Sequence, residues 1–423
     1  MIYYTINGMD VSANCNSLTV YNRATYNSDT CSFRLINPST AMDIFSIPRE
    51  GNSISIYIDS TANMLFGGII ASIVFDYVAP EVIGYTINCV GYWRLFDRRL
   101  VVEHYQNGLY VFTVTSKTII EDIVANYTDP ALGFTTNHVS ISSPIIDVLF
   151  NYRYPSDCLR ELAEVDGAEW FIDADKDIHY FIKEQAEAAP LAITDVTLAS
   201  TIEKFQMNSD YSQIRNRVYV QGGYSVSDTK TVKFYGNGEQ RYWSLPYRPG
   251  SISLKVDGVS KTPLGQENID TDDGTYPYFY NKYEQTLFCA AAESTPGNVV
   301  LEVTMTFEYP LLVRMDDDAS QLLIASAEGG DGIYEYVVKD TTLQTRLMVE
   351  HRGTRELKKY SYPRIEGSFS VVDYYGFKAG QAVTVNITSF RYNGEYFIRQ
   401  VTIDDIGNNI LRYNIEFEGD TDE

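Results

Sequence analysis

The segment Asp173-Ala174-Asp175-Lys176-Asp177 has a spacing that comes nearest to a chemical motif. With Asp173 at position 1, Asp175 and Asp177 fall at positions 3 and 5 and Glu184 at position 12, where an EF-hand loop supplies its carboxylates to calcium. Position 6 should be glycine for the sharp turn, and here it is Ile178. The residues that follow alternate like a strand and do not open a helix. The preferred reading is a solvated hairpin turn, with a calcium loop as the lesser alternative, so no metal is assigned.

Other clusters read in the same way. Asp316-Asp317-Asp318 precedes Ala319-Ser320-Gln321-Leu322-Leu323 and reads as acidic charge at a helix N-terminus, where the macrodipole favours it. Asp270, Asp272 and Asp273 before Gly274 read as a turn. The five cysteines form no Cys-x-x-Cys pair and read as buried free thiols, Cys158 on an amphipathic helix among them. The four histidines, His104, His138, His179 and His351, are far apart in sequence and give zinc or histidine-base chemistry little support. No Gly-x-Ser-x-Gly elbow or His-Glu-x-x-His helix occurs. With 56 acidic residues some carboxylate pair is always available, so availability is no evidence of glycoside hydrolysis. The expectation is a protein without catalysis or cofactor.

Trp93, Arg94, Arg98 and Arg99 have two readings. As interface residues, the arginines would pair with acidic groups of a neighbouring subunit, because the guanidinium fork suits bidentate contacts. As structural residues, they would flank a strand end, with Trp93 as a core aromatic.

The elements that must position these residues are mostly strands. Ile54, Ile56 and Ile58 alternate with polar neighbours, the period of a sheet with one dry face. Phe66-Gly67-Gly68-Ile69-Ile70 lacks alternation and reads as a strand buried on both sides or crossed closely by another backbone. Thr115-Ser116 starts one helix and Pro155-Ser156 a second, the latter stopped at Asp166-Gly167. Strands resume at Val218-Tyr219-Val220-Gln221-Gly222-Gly223, and Asn237-Gly238 and Asp257-Gly258 are hairpin signals. A helix is expected over 316–327 and a longer one over 341–360, interrupted at Gly353, before a final run of strands. The acidic end, 416–423, reads as frayed. No run approaches a membrane helix, and the N-terminus lacks the basic and apolar regions of a secretory signal.

These patches, in their order, resemble the baseplate or tail-tip hub proteins of tailed bacteriophages, which are related to type VI secretion spike hubs. The residues that carry the resemblance are Phe66-Gly67-Gly68-Ile69, Cys89-Val90-Gly91-Tyr92, Leu95-Phe96-Asp97-Arg98-Arg99 and Ser156-Asp157-Cys158-Leu159. Trp170-Phe171-Ile172-Asp173, Asn216-Arg217-Val218-Tyr219, Ala379-Gly380-Gln381-Ala382 and Phe397-Ile398-Arg399-Gln400-Val401 complete the set. The resemblance implies a mainly β fold with α+β insertions, in which two tail-tube-like β-barrels are each interrupted by an inserted domain. The first barrel would span 1–105 and the second 205–230 plus 345–423, with insertions at 106–204 and 231–344. It also implies a homotrimer whose six barrels match a hexameric tube. The partners would be the tail tube or distal tail protein, the tape-measure protein, and spike or fibre proteins. The site of action would be the virion, after synthesis in the host cytoplasm, with DNA passing through unbound.

The charge agrees with that expectation. Lys plus Arg number 33 against 56 Asp plus Glu, a formal −23, which disfavours a phosphate-binding surface and suits a passage that must not hold a polyanion. Two rivals remain. One is a receptor- or carbohydrate-binding tail protein using Tyr276, Tyr278, Tyr280 and Tyr283, and the other a cell-wall-degrading tail enzyme.

Overall fold

In the strand Ser53–Ile58 a period of two buries Ile54, Ile56 and Ile58 together, and the same rule builds most of this mainly β chain. The computed structural model describes all residues except 25–27, 37–47, 80–81, 107–112, 146, 342, 344, 389 and 421–423, and of 61, 62, 78, 79, 82, 147 and 420 it describes the backbone alone. The chain divides into two compact units, Met1–Gln213 with Tyr362–Glu423, and Ile214–Ser361.

The first unit is built on a curled 13-stranded sheet. From one edge its strands are Ile202–Asp210, Arg364–Val372, Leu411–Asp420, Gly394–Asp405, Cys15–Arg23, Thr30–Ile36, Val82–Gly91, Ser60–Ala79, Ser53–Ile58, Ile2–Ile6 and Met9–Asp10. Ala382–Asn386 pairs beside Gly394–Asp405, and Ile193–Thr194 lies beside it in turn. The N-terminal and C-terminal strand groups join where Thr19 to Arg23 face Asp404 to Gln400. One core underlies both groups, with Tyr4, Phe33 and Ile56 on one side and Val371, Ile398 and Tyr413 on the other. Burying these side chains is worth about 1.5–3 kcal/mol each before conformational entropy is counted.

An α+β module interrupts this sheet. Thr115 and Thr118 form a reciprocal capping box that starts the helix Ser116–Tyr127, which buries Ile119, Ile120 and Ile123. The helix Pro155–Asp166 buries Cys158, Leu159 and Leu162 and stops at Gly167, whose φ of 67° a side chain would resist. The strands Glu169–Ile172 and Asp177–Phe181 form the expected hairpin, and the second of them also pairs in parallel with Thr135–Val139.

In the second unit, the 17-residue strand Val300–Asp316 is the spine of a six-stranded sheet. It pairs with Lys230–Tyr235, Arg248–Val256 and Arg217–Val226. A four-stranded sheet, Tyr242–Ser244, Thr286–Cys289, Tyr278–Asn281 and Leu264–Gln266, encloses Trp243, Tyr278 and Leu287 with Leu254, Leu301 and Val303. Asp257 (φ 48°) and Gly258 (φ 76°) make the tight hairpin turn that the sequence signals, with Val256 opposite Val259.

Several boundaries differ from the sequence reading. Arg217–Val226 and the helix Arg346–Tyr360, expected in the second barrel, lie in the second unit instead. The strand pairs there with Val300–Asp316 and Glu335–Lys339, and Val349 and Leu357 of the helix pack on Val218 and Val220. Thr345 caps that helix, so Leu343 lies before it, and Gly353 does not interrupt it. A β-carbon at Gly353 would come within 2.5 Å of the Met315 sulfur, so the glycine lets the helix press onto the sheet. Asn237-Gly238 joins strands of two different sheets and is no hairpin; the Asn237 side chain instead accepts from the amides of Glu239 and Gln240. The acidic end is ordered as strand through Asp420, and the rest of the expected frayed tail lies outside the described residues.

Candidate functional site

The turn that follows the strand Val82–Gly91 carries the arginine cluster. Leu95 and Phe96 of the short helix Trp93–Phe96 are buried and anchor it. The Trp93 indole N–H donates to Asp97, whose carboxylate also accepts from the Ser156 amide at 2.9 Å and the Ser156 hydroxyl at 2.6 Å. Asp97 therefore ties the end of the sheet to the first turn of the helix Pro155–Asp166. Burial raises its pKa despite those donors. Trp93 is half-buried rather than a full core residue, and Arg94, Arg98 and Arg99 are exposed. The Arg99 guanidinium reaches the Thr128 carbonyl at 3.5 Å, whereas Arg94 and Arg98 form no ion pair with another described residue.

Beside this turn the α+β module seats on the sheet. A β-carbon at Gly67 would stand 2.7 Å from the Ala174 carbonyl, so the double glycine is the close backbone crossing that its missing alternation suggested. Lys176 lies 4.9 Å from the Tyr92 ring centre and donates to the Leu132 carbonyl. Lys183 of the module reaches Glu418 at 3.1 Å, and Arg364 and Arg399 meet the same carboxylate at 2.7 and 3.1 Å. Burial would raise the Glu418 pKa, but these three cations hold it below the usual carboxylate range. A small cleft at the seat is lined by Arg23, Asp29, Tyr92, Trp93, Trp170 and Phe171. Burial pushes the Asp29 carboxyl up to about 6, against the pull of the Arg23 amide and the Asn22 side chain, each at 2.8 Å.

The module's Asp173–Asp177 turn is wired to protein donors. One Asp173 oxygen accepts from the amides of Asp175 and Asp177, both at 2.9 Å, and the other faces His179 Nε2 at 3.0 Å. Asp177 accepts from the Thr135 hydroxyl and the Asn137 amide and faces His138 Nδ1. Burial opposes the ionised form of both carboxyls, yet the hydrogen bonds outweigh it and hold both pKa values below the usual range. Asp175 and Glu184 are exposed, and Ile178 continues as buried strand. That geometry is a hairpin turn, without the path an EF-hand loop follows. The sequence reading missed that His138 and His179 stand side by side, because strand pairing brings them together and no local spacing does.

The remaining clusters also resolve. Asp317 caps the helix Asp318–Glu328, accepting from the Ser320 amide at 3.0 Å, while Asp316 pairs with Arg217 and Arg314. Asp273 accepts from the Thr275 amide, as in a turn, whereas Asp270 accepts from the Gln266 amide and Asp272 from the amide of the sequence-remote Ala291. Tyr278 is buried core, Tyr276 donates to Asp270 and Tyr280 to Gln266, so these four tyrosines are not one open platform; Tyr283 is exposed beside Arg248.

No protein-family profile and no curated protein matches the chain. Solved structures do match along its whole length. The 43 kDa tail protein of prophage MuSo2 from Shewanella oneidensis superposes with TM-score 0.58 at 10% identity, covering 98% of this chain and 97% of that one. A tail protein from Neisseria meningitidis MC58 gives 0.59 at 9% identity, covering 99% and 96%. The prophage tail protein gp18 from Listeria monocytogenes EGD-e gives 0.52 at 11% identity, covering 100% and 95%. The chain thus has the fold of phage tail proteins, as the sequence resemblance implied.

Proposed function

We propose that the chain is a structural hub subunit of a phage tail tip or baseplate and catalyses no reaction. Three copies form a ring that joins the tail tube above to spike, fibre or tip proteins below, with the tape-measure protein and then DNA occupying its axis. The observation that carries this reading is the end-to-end likeness to three tail proteins, which spans both units rather than one shared domain.

Physical features support it. The sheet contains an N-terminal strand group, within 1–105, and a C-terminal group drawn from Ile202–Asp210 and the strands after Arg364. Two such groups per chain give three chains the six repeats a hexameric tube presents. The module at 106–204 and the second unit are then the insertions that meet neighbours. Arg94 and Arg98, exposed and without an ion pair among the described residues, supply cations for an acidic neighbour, and the arm formed by Ser60–Ala79 and Val82–Gly91 exposes Val74, Phe75, Tyr77 and Ile83. Phe75, Tyr77 and Ile83 share one face of that arm, and an exposed apolar row of that kind marks a surface meant for a partner. The formal −23 suits a ring that must not hold DNA. Negative-stain images of the purified chain test the reading: three-fold rings support it, and single particles without a central opening at every concentration overturn it.

A further inference from the structure

We infer that His138, His179 and Asp177 form a binding site for one divalent transition-metal ion of the zinc type, on the surface of the α+β module. One ligand atom from each of the three lies within 4.8 Å of the others. The set contains two imidazoles and one carboxylate, donors that suit zinc, cobalt or nickel and do not suit calcium, which takes oxygen ligands.

The backbone assembles this set. In the parallel ladder Asp177 stands opposite Thr135 and His179 opposite His138, so the strand Thr135–Val139 spends an extra residue between these two registers. Without that bulge His138 would point to the other face of the sheet, because side chains alternate. With it, His138 stacks flat on His179, ring centres 4.4 Å apart and planes 2° from parallel. His179 is held from its other side by Phe171, at 4.5 Å and 10°.

The hydrogen bonds decide which atoms are available. His179 gives its Nε2 to Asp173 at 3.0 Å, so its neutral ring keeps the lone pair on Nδ1. A carboxylate on the far nitrogen is the arrangement that orients metal-binding imidazoles elsewhere. One Asp177 oxygen is occupied by Thr135 and Asn137, and the other faces His138 Nδ1. A metal ion would replace the proton shared by His138 and Asp177, releasing it to solvent. Stacked rings do not aim their lone pairs at one point, so the His138 ring must turn out of the stack. It has room to do so, since its side chain is 58% exposed. Ligand bonds of about 2.0–2.2 Å would then close the set, with water completing a tetrahedron.

The ion would cross-link the strands Thr135–Val139 and Asp177–Phe181 and so clamp the module. The inference concerns a single chain and holds or fails apart from the ring. It is tested on the purified full chain by titration with Zn²⁺ and by the visible spectrum with Co²⁺, for the wild type and for H138A. His138 is exposed, so H138A should fold, which its melting curve without metal verifies. The expected result is one Zn²⁺ per chain, intense tetrahedral Co²⁺ bands, and affinity lowered at least ~10-fold in H138A. A zinc-dependent rise in melting temperature should appear in the wild type and vanish in the variant. No saturable binding up to millimolar Zn²⁺, or equal binding by H138A, overturns the site.

Discussion

The carbonyl oxygen of Ala174 lies 2.7 Å from the point where a β-carbon on Gly67 would stand, with the Tyr92 ring 3.1 Å from the same point. The module therefore rests on the sheet through a contact that only glycine permits. Gly67→Val should cost about 1–3 kcal/mol, as overpacking does, and Gly67→Ala somewhat less. Urea unfolding measures both, and an unchanged midpoint in Gly67→Val would show that the seat is not there.

Asp29 at the same seat predicts a pH effect of defined sign. Its carboxyl holds its proton up to about 6 in the folded chain, against an ordinary 3.8. Between those values the folded state binds a proton that the unfolded state has released. Its contribution to stability is therefore greatest at low pH and falls as pH rises through that window. Asp29→Asn removes the dependence while keeping an acceptor for the Arg23 amide. Wild type minus variant should decline by an amount on the order of 2 kcal/mol from pH 4 to 7 in denaturant melts. A flat difference refutes the assignment.

Glu418 should behave in the opposite sense. Lys183, Arg399 and Arg364 hold its pKa below the usual range, so its stabilisation is present above the unfolded value and is lost as pH falls through the folded one. Glu418→Gln leaves three cations facing a neutral amide, at a cost of roughly 1–3 kcal/mol at pH 7. The gap between variant and wild type should shrink on acidification, and a gap that is constant from pH 7 to 3 contradicts the network.

Arg98 tests the proposed contact between chains. Arg98→Glu removes an exposed cation with no described ion-pair partner in its own chain, so monomer stability should stay within about 0.5 kcal/mol. Association should weaken, visible as a shift of the dissociation midpoint to higher protein concentration. A variant that associates as the wild type does removes Arg98 from the interface.

The sequence was most legible where structure is set locally. Asp257-Gly258 fixes a turn by its positive φ values, Gly167 ends a helix, and Gly67-Gly68 announces a close crossing. It was least legible where partners are remote. Val218 to Gly223 looks the same as a strand of either unit, and its place is decided by pairing with the sequence-remote strands Val300–Asp316 and Glu335–Lys339. The His138–His179 stack is hidden for the same reason, since a parallel ladder and a bulge create it. The calcium-like spacing misleads because Asp173 and Asp177 spend their oxygens on amides, hydroxyl and imidazole groups of the module itself.

Annular assembly is measured most directly by light scattering of the purified chain across a wide concentration range. A trimeric ring predicts a species of three times the 47.9 kDa chain mass that dominates as concentration rises. A mass of one chain throughout, or a stable dimer, would contradict it.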